Sequence, residues 1–271
     1  MTRRRLRHNL RPMNRRRALG TVAGLLAVAL GGVGAAAAQS PAPFPEWQSG
    51  FARDHPLVGR IVRLADGVAL EPEALVAALG RSDFVLLGEK HDNADHHALQ
   101  AWILDALIAA GRRPAVAWEM LSADQAPALA AYLARPDATA AGLGVAVGWR
   151  GWPDWSLYAP IAEVALNAKL PMLAADLGQD MLSALSRRGI EAAPPGLSAR
   201  LGLDRNFAPA QRALLERELT DSHCGQAPSE RLGRMMDVQR ARDAAFANAL
   251  VQAAAQGENS VLIAGAGHVR R

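Results

Sequence analysis

Cysteine is almost absent from this chain, and the one cysteine limits the classes of protein it can belong to. Cys224 is the only cysteine in 271 residues, which excludes an intrachain disulfide framework and a zinc site built from several thiolates. A lipoprotein is also excluded, because no cysteine lies near the N-terminal leader described below. Half of the residues are hydrophobic and 21% are charged, which is typical of a folded globular protein.

Acidic residues are missing from residues 1–38, which hold eight arginines. Removing these eight from the 30 basic residues leaves 22 basic against 26 acidic residues, so the rest of the chain is net acidic. The sequence pI of about 9.9 therefore belongs to the leader. We expect no nucleic-acid partner, because binding to phosphates needs a basic face on the folded domain.

Residues 1–38 have the layout of an export signal peptide. A basic segment, 1–17, precedes an apolar stretch, 18–33, and the alanines at 36–38 resemble a cleavage site. The run Arg15-Arg16-Arg17 leaves both the general secretory and the twin-arginine routes open. We expect a periplasmic or exported protein that meets the membrane only through an uncleaved leader. Residues 39–54 contain three prolines and are predicted to be a linker before a domain at 55–271.

Apolar runs alternate with helical patterns along residues 55–271. This alternation predicts an α/β fold, with a mostly parallel sheet flanked by helices on both faces. A hairpin is predicted around Asp66-Gly67, and a helix is predicted to begin at Pro160, because proline is tolerated in a first turn. The segment 177–230 reads as mainly helical and is predicted to be an insert or cap. The four strands of the sheet are predicted at 84–87, 115–118, 172–175 and 260–264.

Ionisable side chains follow all four predicted strands. Glu89 and His91 come after the first strand, Glu119 and Asp176 end the next two, and His268 follows the last. Because the carboxyl ends of parallel strands meet at one edge of a sheet, we expect these groups to share a site. Carboxylates and imidazoles that converge in this way bind a metal or act as acid and base.

Two further regions have an unusual composition. Three histidines lie within residues 91–97, and the helical spacing of His96 and His97 predicts that only one of that pair faces the site. Three of the six tryptophans lie between 149 and 155, close to Tyr158. This aromatic cluster is either a loop packed on the core or a wall that stacks on a flat ligand. In the second case Tyr158 could offer a phenolate to ferric iron.

Five motifs follow one another along the chain. They are Gly88-Glu89-x-His91-Asp92-Asn93-x-x-His96-His97, Glu119-Met120, His223-Cys224-Gly225, Gln239-Arg240-x-Arg242-Asp243 and Gly265-x-Gly267-His268. In this order they resemble the motifs of the ChaN-like family, the haem-binding uptake branch of the Tiki/TraB/erythromycin-esterase superfamily. The resemblance covers about residues 55–268.

The resemblance implies a haem- or iron-binding protein of the bacterial envelope, with a possible homodimer. It nominates four cofactor-binding residues, which are Tyr158, His97, Trp155 and Arg240. Sister branches of the superfamily look like metal-dependent hydrolases, which is the alternative function. In that case Glu89, His91, Glu119 and His268 would be catalytic, and Glu89, His91 and His268 would hold a divalent metal.

The sequence departs from the family pattern at its end. Only three residues follow His268, whereas the family usually continues beyond this motif. We therefore expect a truncated coding sequence or a fragment.

Overall fold

The computed structural model describes residues 44–226, 228–255 and 259–269. The predicted signal peptide lies outside the described residues. Part of the predicted linker is packed against the domain: the Phe44 ring lies 4.8 Å from that of Trp102. The backbone amides of Gln48 and Ser49 donate to the Asp95 carboxylate at 2.6 and 3.0 Å. The segment from Phe44 to Ser49 therefore belongs to the folded surface.

A two-stranded hairpin precedes the main sheet, as predicted. Strands β1 (Ile61–Arg63) and β2 (Val68–Leu70) pair antiparallel. The turn between them contains Gly67 with φ of +72°, a conformation that costs glycine little.

The main sheet has four parallel strands, in the order β3-β6-β4-β5. They are β3 (Phe84–Glu89), β4 (Ala115–Ser122), β5 (Met172–Asp176) and β6 (Ser260–Gly265). Strand β4 continues beyond its predicted end at 118. Its register with β5 shifts between Trp118 and Ser122, so Glu119 lies at an irregularity rather than after the strand.

Helices lie on both faces of this sheet, which confirms the α/β prediction. One core joins alternate residues of the strands to α2 and α5, and includes Trp118, Tyr158 and Ile161. The opposite face packs on α9 through Phe246 and Leu250. The described helices are α1 (Pro72–Leu79), α2 (Ala94–Ala109), α3 (Ala126–Leu133), α4 (Ala140–Ala146), α5 (Trp155–Asn167), α6 (Gln179–Arg188), α7 (Pro195–Leu201), α8 (Pro209–Ser222) and α9 (Ser229–Ala254).

Two local predictions differ from the structure. Helix α5 begins at Trp155, where Asp154 caps it by accepting from the Ser156 amide at 2.8 Å, so Pro160 lies inside the helix. An interior proline removes one backbone hydrogen bond, but α5 buries Tyr158 and Ile161 completely, and this packing offsets the loss. Helix α4 was not predicted, because its short Ala- and Gly-rich sequence has no clear periodicity.

The predicted helical segment 177–230 is confirmed. It contains α6, α7 and α8, and a separate small core under α6, α7 and α9 holds it to the domain. In the part of the chain that is described, no helix combines the length and the apolar composition needed to cross a bilayer.

Candidate functional site

Glu89 is the centre of a closed polar cluster, which we call the inner cluster and define as Glu89, His91, His97 and Tyr158. Glu89 ends β3 and is 2% exposed. Its Oε1 lies 2.7 Å from His91 Nδ1 and accepts from the Tyr158 hydroxyl at 3.0 Å. Its Oε2 lies 3.0 Å from His97 Nδ1. Asn93 caps α2 by accepting from the amides of Asp95 and His96, which fixes the first turn and turns His97 inward.

The hydrogen-bond partners of His97 set its charge. Nδ1 faces Gln100 Oε1 and Glu89 Oε2, and Nε2 faces the His91 carbonyl at 3.1 Å. Carbonyl and carboxylate oxygens only accept, so both ring nitrogens must carry a proton. Burial lowers the pKa of His97, but the Glu89 carboxylate raises it by more than burial lowers it. The pKa of His97 is therefore above its usual value.

The carboxyl of Glu89 stays ionised in this cluster. Burial raises its pKa, but His91, His97 and Tyr158 outweigh burial and lower the pKa to about 2. Burial, followed by the nearby Glu89 carboxylate, raises the pKa of Tyr158 above its usual value. The inner cluster is therefore a buried ion pair with a neutral phenol beside it.

A second network, which we call the outer network, consists of Glu119, Asp176, Arg242 and His268. The Arg242 guanidinium donates to both Asp176 oxygens at 2.7–3.1 Å and to Glu119 Oε1 at 2.9 Å. His268 Nε2 lies 3.2 Å from Glu119 Oε1, and its Nδ1 lies 2.6 Å from Asp243 Oδ1. The carboxylates of Glu119, Asp176 and Asp243 are thus paired with Arg242 and His268.

The pKa values of the outer network follow from this pairing. Burial raises the pKa of Glu119, but His268 and Arg242 lower it to about 2. Burial lowers the pKa of His268, but Asp243 and Glu119 raise it to about 9. His268 is therefore a cation at neutral pH.

Gly265 separates the two polar groups. Its amide donates to Glu119 Oε2 at 2.6 Å. A methyl group on Gly265 would lie 2.7 Å from His91 Nε2, so only glycine lets the His91 ring pack against this strand end. The motif glycine is explained by this close approach of a ring to the backbone.

A cleft of about 1130 Å³ opens above the outer network. Its floor includes Glu119 and Asp176, and its walls come from one face each of α6 and α9 and from the end of α8. Apolar side chains line part of it. They are Met120, Trp152, Leu182, Leu219, Met235 and Val238.

Four arginines on the walls of the cleft lack acidic partners. Arg150, Arg187, Arg231 and Arg234 all line it, and none of them forms a salt bridge with any residue in the described ranges. Glu119 and Asp176, in contrast, are already paired with Arg242, and Asp124, the third acid of the lining, accepts from the Gln179 amide. The four arginines therefore outnumber the acids without a cationic partner in the cleft, which suits an anionic ligand.

The predicted catalytic residues form two pairs. Glu89 contacts His91 in the inner cluster, and Glu119 contacts His268 in the outer network. In the ranges that the structure describes, no three or more His, Cys, Asp and Glu side chains are arranged to hold a metal ion. The divalent metal predicted at Glu89, His91 and His268 is thus unsupported, and the hydrolase alternative stays a prediction.

The four predicted cofactor-binding residues do not share an open surface. Tyr158 is fully buried and His97 is 1% exposed, and their rings lie 4.3 Å apart. Trp155 packs against Trp149 at 4.7 Å as part of the core. Arg240 donates to the carbonyls of Leu203 and Arg205 and so braces the loop after α7. In this structure Tyr158 is closed off from the surface, and its hydroxyl donates to Glu89.

The four unpaired arginines of the cleft were missed by the sequence analysis. Arg231, Arg234, Val238 and Arg242 follow one another at intervals of three and four residues, which places them on one face of α9. This spacing was visible, but charged residues on a helix face normally indicate solvent. Their role depends on α6 and α8 packing beside α9, and the sequence does not show that packing.

The fold and these groups define an α/β protein with buried ion pairs at its strand ends and an arginine-lined cleft above them. The chain belongs to the family described as haem-binding uptake, Tiki superfamily, ChaN, whose model matches residues 75–271. No curated protein matches the sequence.

Two solved structures resemble this fold. ChaN of Campylobacter jejuni, described with cofacial haem bound, is 23% identical, with 76% of this chain and 79% of that chain covered and a TM-score of 0.62. The type III effector HopBA1 is 17% identical over 72% and 71% of the two chains, with a TM-score of 0.41. The first similarity agrees with the fold described above, and the second is too distant to support an argument.

Proposed function

We propose that this protein binds haem in the cleft and takes part in haem or iron uptake in the bacterial envelope. The observation that carries the proposal is the set of four unpaired arginines on the walls of the cleft. Membership of a haem-binding family supports the choice of ligand, and so does the description of haem bound to the Campylobacter jejuni protein.

The size and lining of the cleft suit a porphyrin. A volume of about 1130 Å³ exceeds what a drug-sized ligand needs. Leu182, Leu219 and Val238 offer an apolar surface to the ring, and Trp152 adds an aromatic face. Trp152 is also held in place, because its ring lies 4.8 Å from that of His91.

The charges of the cleft suit the two propionates of haem. Carboxylates at the strand ends would repel propionates, but Glu119 and Asp176 are already paired with Arg242, and Glu119 also with His268. Arginine binds carboxylates through paired, charge-assisted hydrogen bonds. Arg187, Arg231 and Arg234 on α6 and α9 would hold the propionates, while the iron would supply the redox-active, ligand-accepting centre.

A haem titration of the purified chain tests the proposal. We expect a saturable change of the Soret band and quenching of tryptophan fluorescence, since Trp152 lines the cleft. Sedimentation of the apo and haem-loaded protein shows in the same experiment whether the predicted homodimer forms. A folded sample whose absorbance changes equal those of free haem would refute the proposal.

Export to the envelope is the second part of the proposal. It is supported by the basic and apolar segments of residues 1–33. Fractionation of cells that express the chain should place a product shortened by about 38 residues outside the cytoplasm. Replacing Arg15, Arg16 and Arg17 by lysine blocks only the twin-arginine route and so decides between the two routes. A full-length product confined to the cytoplasm would contradict export.

A further inference from the structure

Neither tyrosine of this chain lines the cleft. There are only two. Tyr158 is fully buried against Glu89. Tyr132 is 9% exposed, and its hydroxyl is bonded to the backbone of Thr139. Neither residue lines the cleft, so a haem bound there needs an iron ligand other than tyrosine.

Three of the described histidines lie outside the lining of the cleft, and two of them have no ring nitrogen free. His97 uses both ring nitrogens inside the inner cluster. His268 uses both between Asp243 and Glu119. His91 directs Nδ1 at Glu89, and the residue does not line the cleft.

Two other histidines have the wrong tautomer. His55 Nδ1 accepts from the Leu57 amide at 3.2 Å, and His96 Nδ1 accepts from the Lys90 amide at 2.7 Å. A neutral imidazole that accepts through Nδ1 carries its proton on Nε2. That outer nitrogen therefore has no lone pair to offer to a metal. Neither histidine lines the cleft.

His223 combines a place in the lining of the cleft with a free ring nitrogen. It follows the last residue of α8, is exposed, and lines the cleft. Its Nδ1 lies 2.7 Å from the Leu219 carbonyl, and a carbonyl only accepts, so Nδ1 carries the proton. Nε2 then has a free lone pair, and no residue of the described ranges bonds to it.

We infer that His223 Nε2 is the iron ligand for haem in the cleft, an inference that rests on the proposed function. A histidine that binds a metal usually donates its other N–H to a carbonyl or carboxylate, which fixes the tautomer and the ring orientation. Leu219 supplies that carbonyl one helical turn earlier. The arginines of α9 lie in the same cleft, so one ligand can meet the imidazole and the guanidinium groups together.

The test compares the ferric haem spectra of the wild type and of His223→Ala. We expect the variant to lose the wild-type Soret and visible bands and to bind haem at least roughly 10-fold more weakly. Adding imidazole should restore the wild-type spectrum, because free imidazole can fill the vacated coordination position. Cys224→Ser, one residue further on, is the matched control and should keep the wild-type spectrum.

The apo protein gives an independent measurement. Nitrogen-15 NMR of the His223 ring should show the Nδ1–H tautomer with Nε2 unprotonated near neutral pH, and haem should perturb that ring more than the ring of His55. An Nε2–H tautomer for His223 in the apo protein would overturn the assignment.

The outcomes distinguish failure of His223 as the iron ligand from failure of haem binding itself. If the wild type binds no haem, the proposed function itself fails. If His223→Ala binds haem with the wild-type spectrum, or if Cys224→Ser alters the spectrum instead, the function stands but His223 is not the ligand. If His223→Ala binds no haem, rescue by imidazole supports the inference and absence of rescue overturns it.

Discussion

The inner cluster and the cleft both lie at the carboxyl ends of the strands, but their charges are used in opposite ways. In the inner cluster Glu89 is paired with His91, His97 and Tyr158, and it is 2% exposed. On the walls of the cleft four arginines have no acidic partner among the described residues. The charges of the inner cluster are paired within the protein, whereas those on the walls of the cleft are available to the proposed ligand.

This contrast separates the residues of the Gly-Glu-x-His motif from the residues proposed to contact haem. The Gly-Glu-x-His motif builds the inner cluster, where each group is fixed by the next one. Its role in this chain is to close the end of the sheet, because breaking a buried ion pair is costly. The cleft instead has exposed arginines whose removal costs little stability. Stability and haem binding should therefore respond to different substitutions.

The largest expected effect is on stability and comes from Glu89→Ala. The substitution leaves the His97 cation buried without its carboxylate and should lower the free energy of unfolding by about 3 kcal/mol or more. Urea denaturation followed by circular dichroism measures this loss. Glu89→Gln, which keeps the volume of the side chain, should also destabilise the protein because it removes the same charge.

The control for Glu89→Ala is Arg212→Ala, on the exposed face of α8. It should change the free energy of unfolding by no more than about 0.5 kcal/mol. A Glu89→Ala protein that is as stable as the wild type but unable to bind haem would contradict this assignment. The inner cluster, and not the cleft, would then be the haem site.

Charge reversal in the cleft should weaken haem binding and leave the stability of the protein nearly unchanged. Arg231→Glu with Arg234→Glu replaces two attractions to propionates by two repulsions, so haem affinity should fall by about 100-fold, with little change in urea denaturation. Arg212→Glu with Arg217→Glu makes the same change in charge on α8, away from the cleft, and should bind haem as the wild type does. Equal losses in both double variants would show a nonspecific effect of net charge.

Much of this fold could be predicted from the sequence, because periodicity records burial. All four strands of the sheet were found, because they read as continuous apolar runs. Strand β3 does so although Phe84 and Leu86 on one of its faces are exposed. The ionisable groups at their ends were found by the same reasoning about parallel strands. The prediction could not show that Glu89 and Glu119 belong to separate groups, because Gly265 and the shifted register of β4 separate them.

The cleft was harder to predict, for a physical reason. Tyr158 looked like an iron ligand because tyrosine is rare here and lies among tryptophans, but helix α5 turns it into the core. His223 was noted only as part of a motif. Its significance depends on a hydrogen bond within α8 and on the packing of α8 beside α9, and neither leaves a trace in the order of the residues.

The pH dependence of stability should reveal the paired groups. His268 has a pKa of about 9 in the folded protein against 6.5 ordinarily, so its contribution is complete below pH 6.5 and is lost as pH rises through 9. Glu89 and Glu119 have pKa values of about 2 against 4.5. Their contribution is complete above pH 4.5 and is lost as pH falls through 2. His97, whose pKa is also raised, acts in the same direction as His268.

The free energy of unfolding should therefore be highest between pH 4.5 and 6.5. We expect it to fall by on the order of 2 kcal/mol between pH 6.5 and 9, as measured by urea denaturation at each pH. His268→Gln should flatten this alkaline slope, with His55→Gln as the exposed control. A wild-type slope that His268→Gln leaves unchanged would mean that the outer network does not set the pH dependence.

The smallest effect on stability is expected from Tyr158→Phe. This variant tests most directly whether haem binds in the cleft or at the inner cluster. The change removes only the hydroxyl that donates to Glu89 Oε1 at 3.0 Å, and the ring stays packed in the core. We expect a loss of about 1–2 kcal/mol in the free energy of unfolding and an unchanged ferric haem spectrum, because this hydroxyl faces the inner cluster and not the cleft. If the variant instead keeps its stability and loses the wild-type Soret band, Tyr158 binds the iron, and the inner cluster must open when haem binds.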